Sequence, residues 1–343
     1  MSTLTLAVLI IGIALVFDYI NGFHDAANSI ATIVATRVLT PFQAVLWAAF
    51  FNFAAAFIFG TAVAKAVMQG FVDLNLVTPY VIMAGLAGAI TWDLITWWLG
   101  LPTSSSHALI GGYAGAAIAR VGLVRGFSHS LDALNVGRGG EWPLTLTFIV
   151  VAPMIGMISA YLLMVLVYWL FQGSSPSKMD KYFRKFQLLS AAAFSLSHGS
   201  NDAQKTAGLI TGVLITSHYV QVREIPAWVL LAAYTAIALG TLSGGWRIVH
   251  TVGGRLTRLK PRSGFCAETG AAAAVLLATH LGLPVSTTHA IAGAIAGVGS
   301  IQRMKAVRWG IARNIVGAWV LTIPASAIIA YASFCVLHAT MGA

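Results

Sequence analysis

Long apolar runs separated by short polar turns recur along the whole chain. Ten can be read, at residues 4–37, 42–68, 78–99, 103–119, 143–172, 186–216, 226–245, 264–281, 285–299 and 307–338. Most are long enough to cross a hydrocarbon layer as a helix, which takes roughly 20 residues. The fourth and ninth are shorter, rich in Gly and Ala, and open on Pro followed by Ser and Thr. They read as one arm of a re-entrant hairpin, the preceding segment being the other arm. The stretch 173–185 is polar and holds Pro176, Lys178, Lys181, Arg184 and Lys185. It is the expected cytoplasmic linker between a first membrane half, 1–172, and a second, 186–343.

The two halves are related. Residues 22–29 read Gly-Phe-His-Asp-Ala-Ala-Asn-Ser, and residues 199–206, displaced by 177 positions, read Gly-Ser-Asn-Asp-Ala-Gln-Lys-Thr. A second motif, Leu-Pro-Thr-Ser-Ser-Ser-His-Ala at 101–108, returns 182 positions later as Leu-Pro-Val-Ser-Thr-Thr-His-Ala. Five segments per half is an odd number, so the second half is expected upside down. The predicted fold is an all-α polytopic membrane protein of two inverted-topology repeats with broken helices and re-entrant hairpins. Hairpin tips entering from opposite leaflets meet near the midplane, where paired interruptions mark a transporter's binding site.

Composition narrows the choice. Apolar residues make up 58% and charged residues 9% of the 343 positions, far from the balance of a soluble domain. The net charge of +10 lies in short loops and forms no continuous basic face, which argues against a nucleic-acid partner. On the parity of the segments, one face collects Arg37, the four linker charges, the five within 246–263, and Arg303, Lys305 and Arg308. The other collects Arg120, Arg125, Arg138 and Arg223. Thirteen against four places the linker in the cytoplasm and both termini outside. The segment 4–20 lacks a basic start and a cleavage pattern, so it is expected to be a retained helix. Cys266 and Cys335 lie in apolar segments and promise neither a disulfide nor a metal site.

The repeated motifs carry the chemistry. Pro suits the start of a helical arm, and Ser or Thr there can cap free N–H groups. Those N–H groups and the helix dipole favour an anion. Ser104, Ser105, Ser106, Ser286, Thr287 and Thr288 are therefore candidate ligands of a tetrahedral oxyanion. Asp25 and Asp202 sit where Gly and Asn interrupt apolar sequence, which implies unwound backbone able to hold a cation. Asn21, Asn28 and Asn201 add neutral oxygen ligands. A carboxylate about 4 Å from a phosphate charge costs on the order of 4 kcal/mol at an effective dielectric of about 20. Two acids beside an anion are tolerable only when protonated or when cations intervene, so anion and coupling cation must enter together.

Lys205, three residues past Asp202, can pair with it, bind the anion or stand in for a bound cation. His24 can relay a proton to Asp25. Glu268, placed in the first turn of segment eight, is either a helix-dipole partner or a coupling group. His107 and His289 read first as packing residues, Asn52 as a helix–helix hydrogen bonder, and Asp18 and Asp93 as structural partners of nearby Arg or backbone groups. No residue is assigned a catalytic role and no cofactor is expected.

Together these residues resemble the inorganic phosphate transporter (PiT) family. Its signature, Gly-x-Asn-Asp-x-x-Asn in both halves, is similar to 22–28 and 199–205, and the Leu-Pro-x-Ser-x-x-His turns match as well. The resemblance covers nearly the whole chain. It implies phosphate as substrate, cation-coupled symport and a homodimer, with phosphate and cation positions at Asp25, Asn28, Asp202, 104–106 and 286–288. His24 replaces the first motif's Asn, and Lys205 replaces the Asn that sodium-coupled members keep at the end of the second. A fixed ammonium there should weaken a sodium site. The pattern looks closer to the proton-coupled bacterial branch, which carries phosphate with protons or as a neutral complex with Mg2+ or another divalent metal. The short linker looks prokaryotic, which implies a plasma membrane location. Sodium coupling and a sulfate permease on the same scaffold are the nearest rivals. An anion channel is a further one. An intramembrane Ser106–His107 hydrolase is disfavoured, because adjacent helical residues point about 100° apart.

Overall fold

Three things dictate where the helices of this chain begin and end: capping hydroxyls, Pro at first turns, and Gly in the left-handed region. Ser2, Thr40 and Ser175 accept hydrogen bonds from N–H groups of the first turns they precede. Pro opens the helices that start at Pro41, Pro79, Pro176 and Pro261. The computed structural model describes residues 2–136, 141–220, 224–302 and 306–342. Arg138, Arg223, Arg303 and Lys305 of the charge count lie outside the described residues.

The first half runs α1 (Thr3–Ala35), α2 (Pro41–Ala54), α3 (Ala62–Gly70), α4 (Pro79–Leu99), α5 (Ser105–Arg125) and α6 (Trp142–Leu170). The second runs α7 (Pro176–Thr216), α8 (Ala227–Ser243), α9 (Trp246–Val249, continued by π-helical turns to Arg255), α10 (Pro261–His280), α11 (Thr287–Gln302) and α12 (Trp309–Met341). Each element of one half has its counterpart in the other. The two halves form inverted-topology repeats, with broken helices and with the hairpins α4–α5 and α10–α11.

The main packing contacts come in symmetry-related pairs that cross between the halves. α1 packs on α8 as α7 packs on α2, α4 on α12 as α10 on α6, and α5 on α12 as α11 on α6. Neither half encloses a core alone. Glycine makes the closest crossings possible: a Cβ on Gly115 of α5 would stand 2.1 Å from the Ala327 carbonyl oxygen, and one on the matching Gly297 of α11 would stand 2.3 Å from that of Met157. Without a hydrophobic drive between helices in lipid, backbone proximity of this kind supplies the packing.

Among the described residues, five helices are long and apolar enough to cross a membrane, or up to seven if each bent pair counts as one span. α6 and α12 are the outermost, with exposed Leu144, Val150, Leu162, Val320, Ile328 and Val336. α7 and α10 are too polar to pass that test. The polar residues in the apolar stretch of α7, Gln187, Ser190, Asn201, Asp202 and Lys205 among them, and Glu268 of α10 are buried against other helices, while Lys178, Lys181, Arg184 and Lys185 at the start of α7 are exposed.

Three sequence expectations change. The helices are not unwound at the aspartate motifs, because α1 and α7 run unbroken through them. Gly22 and Gly199 serve close crossings instead: a Cβ would stand 2.2 Å from the Ile237 carbonyl oxygen at Gly22 and 2.5 Å from that of Asn52 at Gly199. The breaks fall in the next helix of each half, where α2 and α3 bend by 84° and α8 and α9 by 64°. Most of the expected linker 173–185 is helix, since α7 starts at Pro176. Glu268 lies two turns inside α10, not in its first turn, because Pro261 and the Ser263–Lys260 cap start that helix earlier.

Candidate ion-binding site

The hairpin turns build the site. α4 ends on Gly100 (φ 65°), and α10 is followed by Gly282 (φ 74°), both left-handed, which turns the chain sharply. Ser104 Oγ then accepts the His107 N–H (3.3 Å), and Ser286 Oγ accepts the His289 N–H (3.2 Å), capping α5 and α11. The first hydroxyl of each triplet is thus committed to a helix end. Ser104 and Ser286 do not direct their hydroxyls at the aspartates; the next two positions do.

Each aspartate faces one hydroxyl from each hairpin. Ser105 of its own half (3.5 Å) and Thr288 of the other (3.4 Å) donate to Asp25. Thr287 of its own half and Ser106 of the other, both at 3.4 Å, donate to Asp202. A carboxylate oxygen of each aspartate and a ring nitrogen of His198 lie within 4.8 Å of one another. All these side chains are buried, so the conformation is closed over the site.

Nitrogen-bearing side chains face the acids. His24 Nδ1 is 2.7 Å from Asp25 Oδ1, and its Nε2 is 3.1 Å from Thr96 Oγ1. His198 Nε2 is 3.3 Å from Asp202 Oδ2. Lys205 Nζ donates to Asp202 Oδ1 (2.5 Å), to the Val285 carbonyl (2.8 Å) and to Ser106 Oγ. All three ammonium donors are used. Asn28 Nδ2 donates to Thr288 Oγ1 at 2.8 Å.

Other candidates fall elsewhere. Asn201 donates to Thr279 (2.9 Å) and the Leu283 carbonyl (3.1 Å) and accepts the Val285 N–H (3.2 Å), so it pins the second hairpin turn. Asn21 lies one turn before Asp25, and its Oδ1 has no hydrogen-bond partner. Glu268 belongs to a separate buried cluster, accepting from Thr32 (2.5 Å), Gln187 (3.0 Å) and Ser190 (2.5 Å). His107 and His289 meet ring to ring behind the tips, with centroids 4.9 Å apart, and His289 stacks on Trp319. Sequence reading missed His198. Its signal was available, one helical turn before Asp202 on the same face.

Two carboxylates, an ammonium, two imidazoles and four hydroxyls thus converge in one buried cluster. Such a group can hold an oxyanion only while the acids are neutralised, by protons or by cations.

A model of the Phosphate transporter family matches residues 21–179 and again 171–330. A Rhizobium meliloti (strain 1021) protein, "Probable low-affinity inorganic phosphate transporter", is 53% identical over 93% of this chain and 93% of its own. A Bacillus subtilis (strain 168) protein of the same description is 42% identical over 98% of both. A solved structure titled "The sodium-dependent phosphate transporter" superposes with a TM-score of 0.87 at 26% identity, covering 98% of this chain and all of that one.

Proposed function

The chain belongs to the phosphate transporter family, and on that premise we propose that it is a secondary active symporter moving inorganic phosphate with protons. Phosphate would bind between the hairpin tips, near Asn28, Ser105, Ser106, Thr287, Thr288 and Lys205. Asp25, Asp202 and His24 would handle the coupling charge.

The observation that carries this reading is the seat of Lys205. Its ammonium lies among a carboxylate, a hydroxyl and a backbone carbonyl oxygen. That all-oxygen seat is what a hard cation such as sodium requires, and here a tethered charge fills it. The remaining acid, Asp25, is paired with an imidazole, the side chain that gains and loses protons near neutral pH. Protons can then supply the coupling charge that a sodium ion in such a seat would supply.

The Asp25–His198–Asp202 cluster supports a companion reading. Two carboxylates and an imidazole suit a divalent cation carried with phosphate as a neutral complex. We also assign the protein to a prokaryotic plasma membrane as a homodimer, with the start of α7 on the cytoplasmic face. In support of the topology, Arg184 donates to the Arg37 carbonyl (2.5 Å), and Arg262 pairs with Asp180 (2.8 Å), so three of the expected cytoplasmic charge groups adjoin one another.

Purified protein in vesicles, with proton and sodium gradients imposed independently and with or without magnesium, tests the proposal. Uptake driven by the proton gradient and indifferent to sodium is expected. Uptake driven by sodium alone overturns proton coupling, and uptake needing no cation gradient points to a channel. Competition by sulfate as effective as that by phosphate would favour the sulfate reading.

A further inference from the structure

On the face of α1 that carries Asp25, about two turns earlier, lies a second carboxylate that the site above does not use. Asp18 is fully buried, and neither of its oxygens has a hydrogen-bond partner. The expected Arg or backbone partner is absent among the described residues. Around it stand Asn21 of α1 and Thr206 of α7, with Tyr234 of α8 within its electrostatic reach. Asn21 Oδ1, Thr206 Oγ1 and Tyr234 Oη are also buried without partners. Asp18, Asn21 and Thr206 bring together four buried oxygens without partners, with the Tyr234 hydroxyl a fifth within electrostatic reach; buried polar groups are ordinarily paired.

The inverted repeat shows that this pocket is not required for packing. Shifted by 177 positions, Asp18 corresponds to Ser195, Asn21 to His198 and Thr206, read in reverse, to Ser29. The fold therefore accepts a neutral hydroxyl at the equivalent place, and the carboxylate is a feature of one side only.

The charged groups facing Asp18 are Asp202 and Lys205 of α7. Asp25 and His24 lie further along α1, and Asp93 of α4 faces His24 and Asp25. Lys205 is already paired with Asp202, whose own charge repels Asp18, so Asp18 has no ion-pair partner of its own among the described residues. An ionised carboxylate accepts hydrogen bonds and donates none, and out of water with only neutral groups and a second carboxylate close by it is strongly disfavoured unless it gains a positive charge. We propose that Asp18 is a proton-carrying station of the transport cycle, taking up one proton in the conformation seen here and losing it when α1 and α7 move to open the site. The exchange is a simple one: the O–H bond forms on Asp18 from a proton of the bathing solution and breaks to return it on the other side. This rests on the reading of the protein as a proton-coupled symporter and adds a residue outside the phosphate pocket.

The test is the proton-to-phosphate ratio in vesicles, for wild type, Asp18→Asn and Asp18→Glu. Asp18→Asn is expected to lower the ratio by one proton, flatten the pH dependence of uptake and cut accumulation at least tenfold, while phosphate counterflow with no gradient persists. Asp18→Glu restores the ratio. An Asp18→Asn protein with the wild-type ratio and pH profile overturns the proposal, as does one in which a sodium response is what disappears. If wild type itself shows no proton drive, the symport reading fails first, whatever Asp18→Asn does.

Discussion

Asn28 and Lys205 are the same position in the two halves, and each reaches to a hydroxyl of the opposite half's hairpin: Asn28 to Thr288 at 2.8 Å, Lys205 to Ser106. One half thus holds the opposing tip with a neutral amide and the other with a charge. The protein is symmetric in backbone and asymmetric in electrostatics at its centre, which is what a carrier needs if one side is to load a coupling ion that the other does not.

Replacing that charge by its symmetry mate makes the difference measurable. Lys205→Asn leaves Asp202 without its ammonium, so a cation from solution should take the seat. Sodium-stimulated phosphate uptake is expected to appear in vesicles while proton drive falls. No sodium response would show that the ammonium is not a cation substitute.

The aspartates should be indispensable for coupling and dispensable for insertion. Asp25→Asn and Asp202→Asn are each expected to abolish accumulation of radiolabelled phosphate, with the protein still monodisperse in detergent. Lys205 and His198 would be left facing an uncharged amide in the second variant, so it should also lose the most thermal stability. Unchanged uptake in either variant removes that residue from the mechanism.

The hydroxyl triplets divide by position. Ser104→Ala and Ser286→Ala remove helix caps, so they should lower stability by about 1 kcal/mol with little change in KM. Ser106→Ala and Thr287→Val should raise KM, by the roughly 1.5–3 kcal/mol of a hydrogen bond to a charged group, or about 10- to 150-fold. Melting curves and uptake kinetics on the four variants separate the two roles. A KM effect confined to the capping serines would reverse the assignment.

Crossing glycines test the intertwined fold. Gly115→Ala and Gly297→Ala each force a methyl group against a backbone carbonyl 2.1 and 2.3 Å away. Each should destabilise by about 1–3 kcal/mol or more, and by similar amounts, since the two sites are symmetry mates. Unequal losses would show that the halves do not share the packing evenly.

What is local or duplicated in this chain is legible in its sequence. Hydrophobic runs set by lipid, the motif pairs 22–29 and 199–206, and the Pro-led Ser/Thr turns mark the helices, the inverted repeat and the acids at its centre. Geometry that depends on what crosses a residue is not legible there. Gly22 and Gly199 looked like breaks because glycine weakens an isolated helix, yet each is a place where another backbone comes too close for a Cβ. His198 was overlooked although it touches Asp202, and Glu268 was grouped with acids from which it is separated by its own ring of donors.

What the sequence determined by itself was the set of parts: membrane helices, two copies, two acids, two hydroxyl-bearing tips and the lone lysine among them. Only the tertiary structure decided their pairing. Which hydroxyl meets which carboxylate, Thr288 with Asp25 and Ser106 with Asp202, follows from helices more than 90 residues apart being packed across a two-fold relation. Periodicity reports the face a residue occupies on its own helix; it carries no record of the helix that face will meet.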